Sequence, residues 1–157
     1  MPCSTGNAVQ TYVRLIHPID AYQTIQADYA THVRLKSMAV GCRMKPDGAG
    51  HQPLTDIAND SCVEYRDLNF GEEESSLRFV ADLCRQAGGC IELALDDPEA
   101  ETVATLVIPS SERGTAVKLE TSLPPILGMH TLYLRFHSCH RAAICKLNSF
   151  CFVRDSE

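Results

Sequence analysis

The chain of 157 residues has no tryptophan, and its large rings come from only five tyrosines and five phenylalanines. A surface that recognises ligands by stacking is therefore short of material. Basic residues are also in deficit: 14 Lys and Arg stand against 20 Asp and Glu, for a formal net charge of −6. That balance supplies no general field for phosphate backbones or anionic lipid, so neither nucleic acid nor a membrane is an expected partner. Long apolar runs are missing as well. Stretches such as residues 105–109 fall far short of the ~20 residues with which a helix spans a bilayer. The opening residues, Met1-Pro2-Cys3-Ser4-Thr5-Gly6-Asn7, have neither the basic start nor the apolar stretch of a secretory signal. The chain is therefore expected either to be intracellular or to have been cut from a larger exported parent.

What is present suffices for one core. Hydrophobic residues make up 45% and charged residues 22%, a composition that can bury an interior, and the length is that of one domain. Residues 1–16 are expected to form an extension or linker, and residues 17–157 the domain. Eight cysteines supplement such a core without replacing it. Cys84 and Cys90, and likewise Cys139 and Cys145, each flank five residues. Each pair is placed to sit across the mouth of a hairpin, either as a disulfide in an oxidising compartment or as two buried thiols.

Apolar residues recur with period two, the pattern of a strand with one face in water. Residues 62–68 alternate and meet Asn69-Phe70-Gly71; residues 90–95 follow Gly88-Gly89 and end at Asp96-Asp97-Pro98. Both read as hairpin strands. Residues 102–108, 116–120, 131–136 and 147–153 continue the series. One segment fits two periods. Glu72-Glu73-Glu74 followed by Leu77, Val80, Ala81 and Cys84 has helical spacing with Gly88 as a stop, while Leu77, Phe79, Ala81 and Leu83 have strand spacing. Strands on both sides favour the strand. Short strands separated by Gly, Pro and Asp turns predict an all-β fold, a sandwich or barrel.

Catalytic constellations are hard to find. Asp96, Asp97, Glu99 and Glu101 offer carboxylates, but adjacent acids beside Pro98 read as a solvated turn and not as the facing pair that glycoside hydrolysis needs. Ser110-Ser111-Glu112-Arg113-Gly114 forms no nucleophile elbow. His137, Cys139, His140, Cys145 and Cys151 include ligands suited to zinc, without the paired spacing of a zinc site. The Asn59-Asp60-Ser61 sequon is short enough to arise by chance.

The order of segments resembles carbohydrate-binding module family 6, over about His17 to Phe152. The opening Ile25-Gln26-Ala27-Asp28-Tyr29 is similar to that family's first-strand pattern "I-E/Q-A-E-x-Y". It is followed in order by Thr55-Asp56-Ile57-Ala58-Asn59-Asp60, Gly89-Cys90-Ile91-Glu92-Leu93, Val107-Ile108-Pro109, His130-Thr131-Leu132-Tyr133 and Leu147-Asn148-Ser149-Phe150. The resemblance implies a jelly-roll β-sandwich of two antiparallel sheets. It further implies a structural calcium ion, held here by Gln26, Asp28 and Asn148. Asn148 replaces the Asp of the family's closing "N-L-D-W-F" motif and Asp28 replaces a longer Glu, so the site is expected to be weak.

The family's principal sugar cleft stacks a pyranose between two aromatics and fixes it with an Asn. At those positions stand Asp56, Gly114 and Lys146. No aromatic lies between Pro109 and Met129, so no shift of alignment restores the stacking wall. Some members use the concave face of one sheet, for which Glu64, Tyr65, Arg66, Glu92 and Tyr133 are the candidates; ordinary strand polars are the other reading of the same residues. The implied function is a non-catalytic module that tethers an attached glycoside hydrolase, of a kind resembling family 43, to xylan or arabinan. The alternative is a degenerate sandwich that only packs against its catalytic neighbour. An exported parent suits either.

Overall fold

In the computed structural model, residues 19–27, 32–34, 43–44, 53–55, 57–111 and 114–155 are described, with 32–34 and 43–44 entering through their strand pairing alone. Residues 1–16 and the candidates Asp28 and Asp56 lie outside them. The period-two segments are strands. In β6 (Ser61–Asn69), Val63 and Tyr65 are buried while Cys62, Glu64 and Arg66 alternate with them. The ambiguous segment is β7 (Leu77–Arg85), with Leu77, Phe79, Ala81 and Leu83 all buried. Neighbouring strands on both sides satisfy its backbone, so period two prevails over helical spacing. No α-helix occurs among the described residues.

Two sheets face each other. The first runs β1 (Ile19–Asp20), β6, β11 (Met129–His137), β8 (Gly89–Leu95), β9 (Ala104–Ile108), with β3 (His32–Arg34) also on β6. The second runs β10 (Ala116–Leu123), β7, β12 (Cys145–Arg154), β5 (Leu54–Thr55), β4 (Arg43–Met44), with β2 (Ile25–Gln26) also on β12. Every pairing is antiparallel except that of β1 with β6.

The connections correct two expectations. From β6 onward the chain changes sheet at each step apart from β8 to β9, so Asn69-Phe70-Gly71 and Gly88-Gly89 are crossings and not hairpin turns. At the second crossing a Cβ on Gly88 would lie 2.8 Å from the Ile108 carbonyl oxygen, and one on Gly89 would lie 2.5 Å from that of His137. Only glycine fits where backbones approach so closely. Cys84 lies on β7 and Cys90 on β8, in different sheets, while Cys139 lies in the loop between β11 and β12; of the two readings of these pairs, thiols and not bridges are what the structure holds. Cys84, Cys90 and Cys139 are free thiols, and Cys145 is buried in the core at the start of β12.

Between the sheets lies a cluster of rings. All five phenylalanines of the chain, Phe70, Phe79, Phe136, Phe150 and Phe152, are buried. Phe152 meets Phe70 edge to face at 4.9 Å, and Phe150 meets Tyr65 at 4.8 Å. Tyr65 is therefore a core residue, correcting its placement on a sugar-binding face. It is fully buried, and its hydroxyl donates to the Ala27 carbonyl at 2.9 Å. Replacing Tyr65 with Phe keeps the ring but leaves that carbonyl without its donor, and should cost ~1–3 kcal/mol. Phe79→Ala removes a ring from the cluster and should cost ~3–5 kcal/mol. Urea denaturation of both variants checks the order.

Candidate functional site

The outer face of the first sheet carries the side chains that alternate with the core residues, and strand register arranges them in rows. Tyr133 on β11 stands opposite Glu64 on β6 and Ala94 on β8. In the next row Arg135 stands opposite Cys62 and Glu92, and Glu92 opposite Thr105 on β9. His137 follows, opposite Cys90. Successive rows lie ~7 Å apart, the two-residue repeat of a strand.

Residues 96–103, joining β8 to β9, fold back over this face. Asp97 and Asp96 behave as the turn residues their sequence suggested: Asp97 Oδ1 accepts from the Glu99 amide at 2.8 Å, and Asp96 Oδ1 accepts from the Thr131 amide at 3.1 Å. Between this loop and the start of β6 lies a groove of about 440 Å³. Arg135, His137 and Glu92 come from the sheet, Asp60 and Cys62 from one wall, and residues 98–102 from the other. Its chemistry centres on Glu92. One carboxylate oxygen lies 3.3 Å from Arg135, 3.3 Å from His137 Nε2 and 3.2 Å from the Thr102 hydroxyl, which donates to it. The other ring nitrogen of His137 lies 3.4 Å from Asp60. Carboxylates, an imidazole and a hydroxyl converging on one trough suit the recognition of hydroxyl groups.

One row away, Glu64 accepts from the Tyr133 hydroxyl at 3.1 Å and from Arg66 Nε at 3.2 Å. Burial, and then donation to this carboxylate, raises the Tyr133 phenol above its usual pKa. Glu64, Arg66, Glu92 and Tyr133 thus share one face as the sequence suggested, while Tyr65 points the other way. Tyr133 is the one tyrosine or phenylalanine on that face among the described residues. Arg135, His137 and Asp60 were not singled out as sugar-site candidates. The signal for the first two was their period-two spacing from Tyr133.

The cleft between loops at the sandwich end is poorer. It has about 300 Å³, lined by Arg85, Gln86, Ala87, Gly114, Ala142 and Ala143, with no ring among them. Lys146 is exposed on β12, opposite Cys84. Asp56 lies outside the described residues.

Two of the three calcium candidates stand on paired strands, β2 and β12. Gln26 pairs with Ser149, and Asn148 is the extra residue of a bulge between Leu147 and Ser149. Their amide oxygens are the hard donors that calcium accepts, and the one carboxylate of the set, Asp28, lies outside the described residues. No three His, Cys, Asp or Glu side chains among the described residues cluster as a metal-holding group.

Beyond His137 the face continues into a more apolar pocket of about 480 Å³, lined by residues that include Cys90, Ile108 and Cys139. Burial, reinforced by the Glu92 carboxylate, raises the Cys90 thiol above its ordinary pKa, whereas Cys139 is exposed. The thiolate is the nucleophile. Iodoacetamide at pH 8 should therefore label Cys139 well before Cys90, as peptide mass mapping over time would show.

The profile of the family described as "Carbohydrate binding module (family 6)" matches residues 36–154. A comparison with curated proteins finds no match. Among solved structures, a family 6 module from Clostridium cellulolyticum in complex with xylose is 21% identical, with a TM-score of 0.68, covering 86% of this chain and 99% of that one. A β-1,3-glucan-binding family 6 module from Bacillus halodurans is 20% identical, with a TM-score of 0.67 over 87% of this chain and 98% of that one. A glycoside hydrolase family 43 arabinoxylan arabinofuranohydrolase from Bacillus subtilis, in complex with cellotetraose, is 21% identical, with a TM-score of 0.70, covering 89% of this chain and 28% of the enzyme. These structures share the two-sheet sandwich. With the profile matching most of its length, the chain belongs to carbohydrate-binding module family 6, a family of non-catalytic β-sandwich modules.

Proposed function

We propose that this module binds a plant polysaccharide of the xylan or arabinan type on the outer face of its first sheet, and so holds an attached glycoside hydrolase to its substrate. The observation that carries this reading is the groove of Glu92, Arg135, His137 and Asp60 beside Tyr133, the one tyrosine or phenylalanine on that face among the described residues. A pyranose offers an apolar C–H face to a ring and hydroxyls to polar side chains. The xylose complex and the arabinoxylan enzyme among the similar structures support that sugar class. Tethering raises the local concentration of an attached enzyme without chemistry in the module. Such a role fits an exported parent. The alternative of a purely packing role calls for an exposed apolar patch. Among the described residues the large exposed hydrophobics are Val107, Leu127 and Met129. Val107 belongs to the row of His137, at the far end of β11 from Met129.

Isothermal titration against soluble xylan, arabinan and mixed-linkage glucan tests the proposal. Binding to xylan or arabinan is expected, with Tyr133→Ala weakening it about tenfold or more and Lys146→Ala, in the loop-end region, leaving it unchanged. Loss with Lys146→Ala but not with Tyr133→Ala would move the site to the loop end. No binding to any of the three would favour the packing role.

We propose also that calcium stabilises the sandwich through Gln26, Asp28 and Asn148. A ligand that binds only the folded state raises the melting temperature by mass action. Millimolar calcium after chelation should raise the Tm, and Asn148→Asp, which adds a charged oxygen donor, should enlarge the shift. An equal Tm with calcium and with chelator in both proteins would remove these residues as ligands.

A further inference from the structure

Arg135 has the look of a ligand-binding cation, since it lies in the groove and faces outward from β11. Its hydrogen bonds go elsewhere. Nη1 donates to the Pro98 carbonyl at 2.9 Å and to the Ala100 carbonyl at 2.8 Å. Nη2 donates to the Thr102 hydroxyl at 2.6 Å and lies 3.3 Å from Glu92. The remaining donor, Nε, is buried without a partner, and the side chain is only 17% exposed. The four terminal N–H groups of a guanidinium are thereby committed, three of them to residues 98–102.

The loop has few other holds. Its ends are fixed by the Asp96 amide on the Thr131 carbonyl at 2.8 Å and the Val103 amide on the Leu93 carbonyl at 2.8 Å. Between them, Glu99 and Ala100 donate only within the loop, to Asp97. The Pro98 and Ala100 carbonyls both turn toward the sheet and converge on one nitrogen. A planar fork with donors in fixed directions can hold both carbonyls, the hydroxyl and the carboxylate together; an ammonium, with three donors on one atom, cannot span them.

We infer that Arg135 is a positioning residue: it clasps residues 98–102 to the sheet and so builds the wall of the groove against which a sugar chain lies. The wall's role in binding rests on the proposed sugar site, whereas the clasp can be measured without any sugar. Thr102 closes the arrangement, because it accepts from Arg135 while donating to Glu92. The same contacts fix the Glu92 carboxylate, which acts on the ligand directly.

The experiment compares the wild-type module with Arg135→Ala and Arg135→Lys by amide hydrogen exchange and by titration with the polysaccharide that the wild type binds. In Arg135→Ala, amides of residues 99–103 should exchange at least about tenfold faster, those of β6 and β12 should be unchanged, and affinity should fall about tenfold or more. Guanidinium at millimolar concentration should restore both loop protection and affinity, and methylammonium should restore neither. Arg135→Lys should keep the charge beside Glu92 yet loosen the loop, and it carries the test if the alanine variant fails to fold. Unchanged loop exchange in the lysine variant and in any folded alanine variant would overturn the clasp. A loosened loop with unchanged affinity would overturn the positioning role. If the wild type binds no polysaccharide, the sugar site itself falls, and exchange with guanidinium rescue alone decides whether the clasp exists.

Discussion

Everything on the surface of this module is conditioned by the rings packed between its sheets. Five phenylalanines and Tyr65 are buried between β6, β7, β11 and β12, and the edge-to-face contacts of Tyr65 with Phe150 and of Phe70 with Phe152 join one sheet to the other. A chain without tryptophan that uses its phenylalanines this way has few rings left for recognition. Tyr22 is one, but Arg154 lies 4.0 Å over its ring and its hydroxyl donates to the Phe70 carbonyl. Tyr133 is the other among the described residues. On the sugar face proposed above, recognition rests more on hydrogen bonds than on stacking, and the groove beside Tyr133 holds the polar groups for it.

Polar recognition rewards a site whose groups are already in place, because ordering them on binding subtracts from affinity. Glu92 illustrates the point. Three neighbours hold its carboxylate before any ligand arrives, and a carboxylate oxygen retains capacity for further hydroxyl donors. Glu64 is held likewise by Tyr133 and Arg66, with 12% of its side chain exposed. The arrangement is rigid where it meets the sheet, and its one loop wall is tied down by a charged side chain.

The strands were legible because a half-buried strand writes period two into the sequence, and the family motifs added their order. Which sheet a strand joins is not written there. Alternation looks the same on either side of a sandwich, so crossings at Asn69-Phe70-Gly71 and Gly88-Gly89 read as hairpins, and Cys84 and Cys90 beside the second as a pair that a disulfide could join. Tyr65 was misplaced against a signal that was available: on one strand Val63 and Tyr65 share a face and Glu64 points to the other, and the alternation slips only beyond Tyr65, at Asp67, whose φ is +60°. Arg135 was missed for a different reason. Its partners are backbone carbonyls of a loop that reads, correctly, as an acidic turn, and carbonyls leave no mark on composition.

The repeated change of sheet also shapes how the chain reaches this structure. Strands adjacent in space, such as β7 with β12 and β6 with β11, are far apart in sequence: Leu83 pairs with Leu147, 64 residues on, and Val63 with Leu134, 71 residues on. Long loops must close before these pairs reward the closure, so the domain belongs among slow folders, with times of ~milliseconds to seconds and not microseconds. Until β12 is made, β7 lacks one of its two neighbours and presents an open hydrogen-bonding edge. That is the interval in which the domain is most exposed to pairing with the wrong strand.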